Sequence, residues 1–152
     1  MNIIGTQYTA NHKSLDIYIA GCSGSPKCKG CHNPESWNFN QGKIYYDWFE
    51  NIKKKINDFD TLIDNIMIFG GEPLDQEYYE LTKFLMFLNQ FEKKIWLFTR
   101  YSLNEVPYII KMFCDYIKTE RYIEGLRCDD NVQHGIQLAT SNQKINKKGV
   151  DY

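Results

Sequence analysis

The feature that most constrains the fold is an alternation between two kinds of apolar pattern. Short, nearly continuous runs rich in β-branched and aromatic residues occur at Leu15 to Ala20, Ile66 to Phe69, Ile95 to Thr99 and Tyr116 to Lys118, with a further candidate at Ile136 to Ala139. Runs of this length and composition read as strands, and the scarcity of polar alternation suits parallel strands buried on both faces. Between them lie stretches with helical spacing. Tyr45, Trp48, Phe49, Ile52 and Ile56 share one helical face, and Tyr78, Leu81, Phe84, Leu85 and Leu88 share another. A third helix is predicted to open at Ser102, which forms a capping box with Glu105, and to run through Val106, Ile109, Ile110 and Phe113. The order β, α, β, α, β, α, β predicts an α/β fold with a parallel sheet and helices outside. Ligands in such sheets sit at the carboxyl ends of the strands. Three loops therefore stand out: the cysteine-rich segment after the first run, Gly-Gly-Glu-Pro after the second and Thr-Arg-Tyr after the third.

Composition narrows the partners. A chain of 152 residues suits one domain spanning 1–152, and it contains no repeat, low-complexity tract or linker that would divide it. Eighteen Lys and Arg balance 19 Asp and Glu, leaving no global field to attract nucleic acid or an anionic membrane. The apolar runs fall short of the roughly 18 residues expected of a membrane span, and the N-terminal segment lacks a signal-peptide layout, so a cytoplasmic location is expected. Five cysteines is an odd count, which favours metal or redox chemistry over a disulfide framework. The terminal NQKINKKGVDY, within a tail at about 143–152, is expected to be polar and frayed.

Three of the five cysteines lie in GCSGSPKCKGC, residues 21 to 31, on a loop that spans 21–33. Cys22 and Cys28 have five residues between them, and Cys28 and Cys31 have two, in a segment whose Gly24, Pro26 and Gly30 favour turns. Three thiolates on one loop fit a [4Fe-4S] cluster with one iron left for an external ligand. A zinc site with His32, Cys114 or Cys128 as fourth ligand stays open on spacing alone. The plainer roles of Cys114 and Cys128 are a core thiol and a loop thiol. Lys27 and Lys29 flank Cys28, where positive charge would ease reduction of a cluster or dock an acidic electron donor; solvated loop lysines are the ordinary alternative.

In IMIFGGEPLDQ a buried strand ends in Gly70-Gly71-Glu72-Pro73. The glycines would let a ligand approach the backbone, and the turn could receive an amino group at its carbonyls and at the Glu72 carboxylate. Alone this is a weak signal. Together with the cysteine loop, the chain resembles the radical S-adenosylmethionine (SAM) superfamily, and within it the small activating proteins of anaerobic ribonucleoside-triphosphate reductase. AGCSGSPKCKGCHNPESW, IMIFGGEPLDQ, IWLFTRYSLNEV and GIQLATSNQKI carry the likeness, in the family's order and over nearly the whole chain. The chain departs from the family pattern twice. The usual spacing between the first two cysteines is three residues rather than five, and Thr99-Arg100-Tyr101 stands where Thr-Gly-Tyr is expected, so a turn requiring positive φ would strain Arg100.

The resemblance implies that Cys22, Cys28 and Cys31 hold three irons of a [4Fe-4S] cluster and that the fourth binds SAM. It implies that Gly70, Gly71 and Glu72 receive the methionine amino group, with Gly30, His32 and Thr99 also at the cofactor; no catalytic residue is expected beyond the cluster. Thr99 equally suits a strand cap. Arg100, Tyr101 and the Ser-Asn-Gln segment are candidates for the adenosine or partner-facing surface, with core-edge and turn-forming roles as alternatives. One electron would cleave SAM to methionine and a 5′-deoxyadenosyl radical, which takes hydrogen from a glycine of a partner, the large subunit of anaerobic ribonucleotide reductase. A flavodoxin-type protein would supply the electron. For so short a chain the expected architecture is an incomplete (βα) barrel, with a curved, mostly parallel sheet and an open side facing the partner. Two other functions remain: a radical SAM enzyme for a small molecule or peptide, and a non-enzymatic zinc-stabilised interaction domain.

Overall fold

Alternate residues of the central strands are buried on opposite sides of one sheet, and this periodicity layers the molecule. The computed structural model describes residues 1–31 and 33–152. Its strands are β1 (Asn2–Thr9), β2 (Ser14–Ile19), β3 (Lys43–Ile44), β4 (Asn65–Gly70), β5 (Lys94–Phe98), β6 (Tyr116–Thr119), β7 (Val132–Gln133), β8 (Ile136–Gln137) and β9 (Lys144–Lys147). The α-helices are α1 (Phe49–Asp58), α2 (Tyr78–Leu88) and α3 (Tyr108–Phe113). Seven strands form one sheet in the order β3, β1, β2, β4, β5, β6, β9. The inner four, β2, β4, β5 and β6, run parallel. The flanking strands pair antiparallel, so a parallel centre carries antiparallel edges in one mixed sheet.

All three helices cover the same face. Ile52 and Ile56 of α1, Leu81, Phe84, Leu85 and Leu88 of α2, and Ile110 of α3 pack with Leu15, Ile17, Ile19, Ile66, Ile68, Ile95, Leu97 and Ile117 of the sheet. Residues one position out of phase face the other way. Met67, Trp96, Ile136, Leu138 and Ile145 form a smaller cluster there, with Phe69, Phe98 and Tyr116 against it. The near-continuous apolar runs therefore do reflect strands buried on both faces. Burying a large aliphatic or aromatic side chain stabilises by about 1.5–3 kcal/mol, so the helix-covered side carries most of the hydrophobic stabilisation.

Four expectations need correction. β1 is absent from the sequence reading because Ile3 is its single fully buried residue, which leaves no apolar run to notice. The third helix does not open at Ser102. The Ser102 and Glu105 capping box exists, but it closes a short 3₁₀ turn; Pro107 then holds Val106 in extended backbone, and α3 begins at Tyr108. The candidate strand at Ile136 to Ala139 shrinks to β8, which pairs with β7 in a separate hairpin. Its turn residues His134 and Gly135 both have positive φ, as a tight hairpin of matching twist requires. Finally, the expected frayed tail contains β9, an integral strand. Ile145 and Asn146 are buried, Asn146 Nδ2 donates to Thr119 Oγ1 at 3.0 Å, and Tyr152 OH donates to the Cys114 carbonyl at 2.8 Å. Lysine and asparagine spacing hid an edge strand whose outward side chains are solvated.

Candidate functional site

The parallel register brings the carboxyl ends of β2, β4, β5 and β6 side by side, and a cleft of about 200 Å³ lies there. Its floor comes from the sheet face opposite the helices. Phe69 lies across from Tyr18 and Phe98 across from Lys118 in the strand pairings. The Phe69 and Phe98 ring centroids are 4.2 Å apart, and Tyr18 stacks on Phe69 at 5.9 Å. Cys22, Cys28 and Cys31 line the same cleft, together with Gly30, Gly70, Gly71, Glu72 and Thr99. Every described cofactor-site residue expected from the sequence is thus in one place. His32 lies outside the described residues.

Close approach does explain the two glycines, but the approaching group is the chain itself. Gly70 has φ of +111°, and a Cβ there would stand 2.2 Å from the Ile19 carbonyl oxygen. A Cβ on Gly71 would stand 2.1 Å from that of Gly21. The N–H groups of Gly71 and Glu72 donate to those two carbonyls, each at 2.7 Å, so this turn is stitched to the start of the cysteine loop. Gln76, which the sequence did not single out, adds to the seam. Its Nε2 donates to the carbonyls of Ala20, Gly21 and Glu72 at 3.0, 3.2 and 3.1 Å.

The Glu72 carboxylate is 2 % exposed and already engaged. It accepts from Thr99 Oγ1 at 2.6 Å, the Arg100 N–H at 2.7 Å and the Leu74 N–H at 3.0 Å. Burial pushes its pKa up, and these hydrogen bonds work against that rise. Thr99 is therefore a strand-end cap for Glu72 while still lining the cleft. Arg100 is not among the residues with positive φ, so this turn does not need the conformation that would strain it, and its side chain reaches Ser23 and Asp75. Gln143 is buried and accepts from the N–H groups of Ala139 and Thr140 at 3.1 and 3.3 Å, while Asn142 donates to the Arg121 carbonyl at 2.9 Å. The Ser-Asn-Gln segment thus shapes its own turn at the cleft wall.

Lys118 is a cleft residue that motif reading missed, since only the register of β6 sends it there. Burial lowers its ammonium to about 8, against the pull of Glu72 and Cys28, and Nζ donates to the Glu120 carbonyl at 2.6 Å. Lys27 folds back on its own loop, donating to the Cys22 carbonyl and lying 5.6 Å from the Trp37 ring centroid. Lys29 borders a neighbouring cleft with Cys128.

The thiols are suited to metal. Cys22, Cys28 and Cys31 are free and half-buried, and Trp37 Nε1 donates to Cys31 Sγ at 3.4 Å. Among the described residues no three Cys, His, Asp or Glu side chains gather closely enough to hold a metal ion, so the thiols share a cleft rather than a point. No described residue between Ile19 and Pro34 is in helix or strand, which leaves the loop able to close without breaking a ladder. Three thiols opening on one cleft fit an iron–sulfur cluster. Cys114 cannot be a fourth ligand, because it is fully buried in the main core and burial pushes its thiol up.

An α/β fold with a three-thiol loop over its strand ends suits an iron–sulfur protein. The family model for the 4Fe-4S single cluster domain matches residues 13–145, and the chain belongs to that family. No curated protein matches the sequence. Among the described residues no helix is long and apolar enough to cross a membrane.

Proposed function

We propose that this protein is a radical SAM activase, which generates a glycyl radical on anaerobic ribonucleotide reductase. The observation that carries the reading is the shared cleft: the three loop thiols and the Gly70 to Glu72 turn come from separate segments and open on one space. When bound, a [4Fe-4S] cluster on Cys22, Cys28 and Cys31 supplies one-electron cleavage of the SAM sulfur to C5′ bond. Gly70 and Gly71 would offer main-chain atoms to the methionine amino group beside the buried Glu72 charge. Phe69 and Phe98 exclude water from the floor, and Lys118 brings positive charge to an anionic group. Gly30 would lie beside the adenosine. The sheet, covered by helices on one face, serves as an incomplete (βα) barrel whose cleft at the strand ends admits a partner's glycine loop. An acidic flavodoxin-type donor would meet the lysines of the cysteine loop.

The test is anaerobic reconstitution followed by dithionite and SAM, with 5′-deoxyadenosine measured beside Cys22→Ala, Cys28→Ala and Cys31→Ala. Product in the wild type that vanishes in each variant is expected. An iron-loaded protein that makes no product with or without the reductase sinks the enzyme reading. Product that appears without a glycyl signal on the reductase redirects it to a small-molecule or peptide substrate.

A further inference from the structure

The stretch from Cys22 to Cys28 has no helix or strand to fix its first thiol. Two side chains from the turns that follow β4 and β5, Asp75 and Arg100, reach it. The Ser23 N–H donates to Asp75 Oδ2 at 2.6 Å, a contact across 52 positions of the chain. Asp75 also accepts from Arg100 Nη2 at 3.0 and 3.2 Å and from Tyr101 OH at 2.6 Å, with its side chain 3 % exposed. Burial acts to raise the Asp75 pKa, but the hydrogen bonds and the Arg100 charge hold it below the ordinary value. Arg100 Nη2 also lies 3.5 Å from Ser23 Oγ.

The next residue shows how close this network comes to the thiol. A Cβ built on Gly24 would meet both Arg100 Nε and Cys22 Sγ at 3.4 Å, so guanidinium and thiol flank one backbone point. Among the described residues the buried Arg100 Nε has no hydrogen-bond partner, and Glu72 Oε2 is 3.9 Å away. The Asp75 end of this ion pair is buried, while the Arg100 side chain is 27 % exposed. Burying such a pair is unfavourable unless its geometry and hydrogen bonds compensate, and here the bonds converge on the loop.

We propose that Asp75 and Arg100 are positioning residues for Cys22, a charge-assisted clasp that holds the backbone beside the first thiol in the metal-free protein. This rests on the reading of Cys22 as a cluster ligand. The clasp ties the loop to the turns that follow β4 and β5, which also hold Glu72 and Thr99. It therefore sets the first thiol and the Gly70 to Glu72 turn on one rigid frame.

The experiment uses the full chain, reduced and free of iron and SAM. Amide exchange is followed by NMR and alkylation of each cysteine by mass spectrometry, for wild type, Asp75→Ala, Arg100→Gln and Arg100→Lys. Loss of a hydrogen bond to a charged acceptor is expected to speed Ser23 exchange about tenfold in Asp75→Ala. Cys22 alkylates faster in Asp75→Ala and Arg100→Gln, Cys114 does not, and Arg100→Lys recovers part of the protection. Unchanged Ser23 exchange and Cys22 alkylation in both disruptive variants overturn the clasp. If Asp75→Ala also opens β4 and β5, the Arg100 variants decide: acceleration confined to 22–24 supports the proposal, and equal acceleration across the sheet overturns it. Neither readout involves SAM cleavage, so the clasp and the activase reading fail separately.

Discussion

The two faces of the sheet solve burial in opposite ways. Under the helices, Ile17, Ile68, Leu97 and Phe84 fill space with apolar side chains that need no partner. At the cleft, Glu72 and Thr99 are buried as polar groups and are joined by a hydrogen bond. The first arrangement tolerates exchange of one hydrophobe for another of similar volume, whereas the second depends on each donor meeting its acceptor. Stability is thus concentrated on one side and chemical specificity on the other.

The contrast can be broken most directly at Phe84, which is fully buried. Phe84→Ala is expected to cost about 3–5 kcal/mol in urea unfolding; a cost under about 1 kcal/mol would show that the helix face is not the main store of stability. On the polar side, Thr99→Val removes the hydroxyl donor to Glu72 and should cost about 1–3 kcal/mol despite its near-equal volume. Equal stability of that variant would mean that water replaces the hydroxyl.

Glu72 sharpens the comparison through pH. Its folded pKa is raised above the ordinary 4.5, so the folded state binds the proton more tightly than the unfolded chain. Its contribution is therefore most favourable below 4.5 and is lost as pH rises towards the folded value. Relative to Glu72→Gln, the wild type should lose stability over that rise, read by thermal unfolding at several pH values; a difference that stays constant with pH would refute the burial argument. The smallest effect is expected at the loop. Cys22→Ala, Cys28→Ala and Cys31→Ala should each change the stability of metal-free protein by no more than about 0.5 kcal/mol while iron binding falls, measured by unfolding and iron analysis on the same samples.

Much of this was legible in the residues. The runs at Leu15, Ile66, Ile95 and Tyr116 became the parallel strands β2, β4, β5 and β6, because a strand buried on both faces must be apolar at successive positions. The helical spacings at Tyr45 and Tyr78 became a 3₁₀ turn leading into α1, and α2. β1 and β9 escaped because each presents only part of its length to a core. Within the cleft, the cysteines and Gly70 to Glu72 announced themselves by motif. Lys118, Gln76 and Asp75 did not, since a lysine in a strand or a polar pair after Pro73 has no signature until its neighbours are known. Arg100 showed the limit in the other direction: a residue that would strain a turn of positive φ sits outside that region and reaches Asp75.

The sequence by itself determined the α/β alternation, the apolar faces of the helices and the closeness of three thiols. These depend on periodicity and on covalent neighbours. Tertiary structure alone decided that all three helices lie on one side, that β9 completes the sheet and that Asp75 meets Ser23. Those outcomes depend on strand order and register, which place side chains dozens of residues apart within a hydrogen bond of each other and leave no local trace in the chain.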